Sequence, residues 1–88
     1  MRTGIHVAVR CEVIVELQHH GDAVVVARWF EERGLDVLPL VVGLLVAGEE
    51  TAVREAFDAD PAGRLPVPRE LRGHVRSTAP VGPKRLQS

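Results

Sequence analysis

The sequence predicts an α+β fold: one four-stranded antiparallel sheet with two helices on a single face, in the order β-α-β-β-α-β. Three observations predict it. Residues 5–17, "IHVAVRCEVIVEL", alternate with a period of two. Residues 34–50, "GLDVLPLVVGLLVAGEE", form the most apolar run of the chain, broken at Pro39 and Gly43. Two stretches with helical spacing and end signals, residues 22–34 and 49–60, flank the second half of that pattern.

In the first strand Ile5, Val7, Val9, Cys11, Val13, Val15 and Leu17 fall on one face. His6, Ala8, Arg10, Glu12, Ile14 and Glu16 fall on the other. That division predicts a sheet with one buried face and one largely wet face. After "HHGD", Asp22 is placed to cap a helix through "AVVVARWFEER", and Gly34 stands where a left-handed C-terminal residue belongs. The three consecutive valines are poor helix formers and leave a strand alternative, whereas the spacing of Trp29, Phe30 and Arg33 from Val25 and Val26 favours helix.

The apolar run is too short to cross a membrane. Leu35 to Gly48 is fourteen residues containing Asp36 and Pro39, against about 20 for a spanning helix. Pro39, Gly43 and Gly48 also weaken a buried helix. A hairpin suits the run best: Leu38, Leu40 and Val42 form one alternating set and Leu44 and Val46 another. A type II turn at Val42-Gly43, with Gly43 at positive φ, is the expected connection, because Val42 does not suit a primed turn.

"EETAVREAFDAD" reads as a second helix with acids in its first turn and Val53, Ala56 and Phe57 inward. Beyond Pro61 and Gly63, "PRELRG" predicts one helical turn and "HVRSTAPV" a last strand. The resulting order is that of the split βαβ, or ferredoxin-like, arrangement. Val7, Val9, Val13, Val15, Val25, Trp29, Phe30, Leu38, Val46, Val53 and Phe57 are expected to share its core. Residues 1–79 form the expected domain and residues 80–88 a basic tail.

Charge is divided along the chain. Residues 1–63 carry five arginines against eleven acids, a net −6, and residues 64–88 carry five arginines and Lys84 against Glu70, a net +5. An acidic body with a basic end can fold back on itself or offer the end to an acidic partner. The lone Cys11 forms no internal disulfide and falls on the buried face, where a small packed side chain is expected in place of a nucleophile. The first residues, "MRTGIHVAV", lack the apolar core and cleavage site of a signal peptide, so a cytoplasmic location is expected.

His19, His20 and Asp22 are the one cluster of metal-ligand types, but they lack a second distant pair and read as a polar turn. Neither a metal nor a cofactor is expected. No GxSxG, P-loop, GxGxxG or HExxH motif occurs, and Ser77, Thr78 and His74 lack an oxyanion loop, so an enzyme is not expected. RNA-binding sheets of this plan display aromatics for base stacking. The open face of the first strand has none and carries two acids, so no nucleic-acid partner is expected.

From about Val24 to Lys84, roughly two-thirds of the chain, the sequence resembles the C-terminal half of the prodomain of sedolisin-type (kumamolisin-like) serine-carboxyl peptidases. The matching pieces are "VARWFEERGLDVLPL", "GLLVAGEETAVREAFDA" and "LPVPRELRGHV". Two departures from the family pattern stand out: the chain is expected to stand without the family's peptidase domain, and the family's longer helical insert after the first strand is replaced by "QHHGD".

The resemblance implies a protein partner, a peptidase, that is inhibited or chaperoned through the open sheet face and the exit tail. The residues so implied are Arg10, Glu12 and Ile14 on the face, and Pro80, Val81, Pro83, Lys84, Arg85 and Leu86 in the tail. A passive terminus is the competing reading of the tail. Two further readings are a dimeric regulatory domain that binds a small molecule and a structural subunit joined through edge strands. Ala8 and Ile14 leave a modest apolar strip on the outer face, so a homodimer is also an expected form.

Overall fold

The computed structural model of the chain describes residues 10–61 and 63–81. Its strands are β1 (Arg10–Leu17), β2 (Asp36–Pro39), β3 (Gly43–Glu49) and β4 (Val75–Val81), and its helices are α1 (Ala23–Glu31) and α2 (Glu50–Phe57). Short 3₁₀ turns at His20–Asp22 and Arg69–Leu71 precede α1 and β4. The strands form one antiparallel sheet in the order β2-β3-β1-β4. With both helices packed on one face, this is the ferredoxin-like plan. The expected strand residues Ile5, Val7 and Val9 lie outside the described residues.

Period-two alternation decides which side of the sheet is buried. Val13 and Val15 on β1 stand opposite Val46 and Leu44 on β3. All four are buried with Val26 and Phe30 of α1 and with Val53, Ala56 and Phe57 of α2. The ring centroids of Phe30 and Phe57 lie 5.3 Å apart, so the two helices meet through aromatic contact above the central strands. Trp29 packs edge-on against Phe30 at 5.0 Å, and the Arg33 guanidinium lies 3.6 Å over the Trp29 ring. Leu35, Leu65, Leu71 and Val75, not among the residues expected in the core, complete it.

Two expected core residues point the other way. Val25 is 52% exposed while its neighbour Val26 is fully buried, because Val26 and Phe30, four residues apart, take the inward stripe of α1. Leu38 is 59% exposed. Its neighbour Val37 is the residue opposite the buried Val46, so alternation turns Leu38 outward.

The hairpin turn also differs from expectation. Leu40 donates its N–H to the Gly43 carbonyl (2.7 Å) and Gly43 donates to the Leu40 carbonyl (3.3 Å), which makes Val41 and Val42 the central residues. Among the described residues only Gly34 (φ 84°) and Asp58 (φ 55°) have positive φ, so the turn is not type II at Gly43. Glycine is required at 43 for a different reason: a Cβ there would collide with the Val15 carbonyl oxygen of β1.

Gly34 occupies the left-handed position after α1, as its place in the sequence predicts. Asp58 occupies the equivalent position after α2. Asp22 precedes α1 but makes no side-chain cap to it. Its carboxylate is engaged elsewhere. β4 runs to Val81, so Pro80 and Val81, expected in the tail, pair instead with Val13 and Glu12 in the sheet.

The helix-free face of the sheet

Three rows of side chains cross the face that carries no helix. The strand registers align Leu38, Leu45, Ile14 and Ala79 as one row that spans all four strands. Asp36, Ala47, Glu12 and Val81 form the row on one side of it. Gly43, Glu16 and Ser77 form the row on the other, continued by Leu40 at the hairpin end. The middle row is entirely aliphatic. Leu38 is exposed, Ile14 and Leu45 are half-buried by their neighbours, and Ala79 is exposed. Leu40 and Val81, each 39% exposed, extend the apolar surface at two corners.

Charged groups rim this strip. Arg10 donates to the Asp36 carboxylate at 2.8 Å, and since the two stand on β1 and β2 their side chains meet across the intervening β3. Glu16 accepts from the Ser77 hydroxyl at 3.0 Å and lies 3.9 Å from Arg76. Glu12 is exposed and carries no ion pair or hydrogen bond among the described residues. Exposed pairs of this kind contribute little to stability, about 0–1 kcal/mol each. Arg10 can therefore turn toward another anion at small cost.

Of the binding residues expected from the sequence, Arg10, Glu12, Ile14 and Val81 are brought together on this face. Pro80 is not: it stands opposite Val13 and belongs to the helix side of β4. Pro83, Lys84, Arg85 and Leu86 lie outside the described residues. Leu38, Leu45, Ala47 and Ala79 were missed. Their signal lies in strand alternation once the inward-facing neighbours Val37, Val46 and Thr78, of which Val46 is fully buried, are known.

The remaining chemical candidates are engaged separately. His74 Nδ1 lies 2.8 Å from Asp22 Oδ1, and Asp22 Oδ2 accepts the His19 backbone N–H at 3.1 Å. The hydrogen bond from His74 is the main cause that holds the Asp22 carboxyl below its ordinary value of 3.8. Ser77 bonds to Glu16 and the Thr78 hydroxyl to the Leu65 carbonyl, so Ser77, Thr78 and His74 each face a different partner. Cys11 sits half-buried against the core, and burial raises its thiol above the usual value. No group of three or more metal-ligand side chains converges among the described residues. No helix among them is long and apolar enough to cross a membrane.

Compared with models of known protein families, with characterised proteins and with solved structures, the chain matches none.

Proposed function

We propose that the chain is a non-enzymatic protein-binding module that docks through the helix-free face of its sheet. One observation carries this reading: the aliphatic row Leu38–Leu45–Ile14–Ala79 runs across all four strands with Leu38 59% exposed. A one-sided antiparallel sheet ordinarily turns polar side chains to water. An apolar centre rimmed by Arg10, Glu12, Asp36, Glu16 and Arg76 has the anatomy of a protein interface.

The particular form that the prodomain resemblance implies is a peptidase inhibitor or folding chaperone. β4 supports that form, because it carries Ala79 and Val81 on the docking face immediately before residue 82. The test is residue-specific photo-crosslinking in the source cell, with the photoreactive group placed at Ile14, Leu45 or Ala79 and, for comparison, at Arg28 or Glu55 on the helix side. Protein adducts from the sheet positions and none from the helix positions are expected. Adducts from the helix side alone, or from neither side, would overturn the reading.

A further inference from the structure

The same face carries a more specific assignment, which rests on the docking reading above. We infer that the partner of the sheet face is a second copy of this chain, related by a two-fold axis that runs parallel to the strands between β1 and β3.

Two sheets packed face to face keep their strands within about 30° of each other. A two-fold axis along the strands then exchanges β1 with β3 and β2 with β4 while keeping each row opposite itself. In the middle row Ile14 meets the second copy's Leu45, and Leu38 meets its Ala79. A large side chain faces a small one at the edges, and two branched ones of similar size meet at the centre. The row is self-complementary.

The charges select this axis over its perpendicular alternative. An axis along the rows would exchange the two flanking rows and set Glu12 of β1 against Glu16 of the same strand in the other copy. The axis along the strands sets Glu12 against Ala47 and Glu16 against Gly43, so no acid stands directly opposite another. It also brings in Arg10. The Arg10–Asp36 pair crosses β3 beside Ala47, and Ala47 is the position that faces the other copy's Glu12. The exposed cation of one copy thus lies by the exposed Glu12 of the other, twice over.

The area fits a modest dimer. Four strands about 4.8 Å apart and three rows about 6.8 Å apart give a footprint of roughly 400 Å² per copy. Side-chain relief and the rim raise this toward the ~600 Å² per side of the smallest specific interfaces. A concentration-dependent equilibrium between monomer and dimer follows.

Sedimentation of the full chain over a range of concentrations is the first measurement, with a monomer–dimer equilibrium expected. Ile14→Arg should abolish the dimer while the circular-dichroism melting curve stays that of a folded domain. Arg10→Glu and Glu12→Arg should each weaken self-association by ~10-fold or more, since each homodimer then holds two like-charge contacts. Mixing the two variants should restore dimerisation, because the heterodimer regains opposite charges at both contacts. A merely destabilised fold would not be rescued by mixing.

A strict monomer up to millimolar chain overturns the second copy. So does a dimer that survives Ile14→Arg, which would place the contact on an edge strand. If the chain is monomeric but residue 14 crosslinks to a different protein, the second copy falls and the docking reading stands. Absence of both self-association and crosslinks removes both.

Discussion

His74, immediately before β4, and Asp22, immediately before α1, meet side chain to side chain at 2.8 Å although 52 residues separate them. The contact ties the outer strand of the sheet to the start of the first helix. It also explains why Asp22 does not cap α1, since its two carboxylate oxygens are taken by His74 and by the His19 backbone.

A pH dependence follows from that contact. Asp22 has its carboxyl held below the ordinary value, chiefly by the His74 hydrogen bond. The folded state therefore binds the proton less readily than the unfolded chain does. The contribution to stability is fully present above the unfolded aspartate value and is lost as the pH falls through the lower folded value. Urea unfolding at neutral pH and at successive acid steps should show this loss in the wild type. In Asp22→Asn the neutral stability should be lower and the acid limb flatter. An unchanged acid limb would mean that the contact does not persist in solution.

Phe57 is 2% exposed and stacks at 5.3 Å from Phe30, joining the two helices above the sheet. Phe57→Ala should cost about 3–5 kcal/mol. That is comparable with the whole stability of a domain this small, so thermal unfolding should begin near ambient temperature. An unchanged melting temperature would remove α2 from the core.

Gly43 and Gly34 should respond differently to alanine. At Gly34 no heavy atom lies within 4 Å of an added Cβ, and the cost comes from its φ of 84°, roughly 1 kcal/mol. At Gly43 the added Cβ meets the Val15 backbone oxygen, which cannot move without disturbing the β1–β3 ladder. Gly43→Ala should therefore cost more, about 1–3 kcal/mol, and lower hydrogen-exchange protection along β1 and β3. Equal effects of the two substitutions would contradict the close approach.

The peptidase-inhibitor form of the proposal has its own test. Deleting residues 82–88 leaves every β1–β4 pair in place, through Glu12 with Val81. The melting temperature should stay nearly unchanged. Inhibition of a serine-carboxyl peptidase should weaken at least ~10-fold, about 1.4 kcal/mol, if Lys84 and Arg85 meet acidic groups of the cleft. Inhibition that survives the deletion intact would assign binding to the sheet face alone.

By itself the sequence determined the features that local physics controls. The alternation of residues 11–17 identifies β1 and its buried face, Gly34 marks the end of α1, and Val53, Ala56 and Phe57 give α2 its inward stripe. Each depends on a backbone period or on the conformational freedom of one residue, and both are written in neighbouring positions. The tertiary structure decided which of two adjacent apolar residues is buried. Val25 and Val26 compete for α1's stripe, and Val37 and Leu38 for β2's inner face. Hydropathy cannot separate such neighbours. Packing against Phe30 and pairing with Val46 settle them, because these contacts come from residues distant in the chain or one helical turn away. The aliphatic row across the open face has the same origin: Leu38, Leu45, Ile14 and Ala79 come from four separate strands, and only the register of three ladders brings them into line.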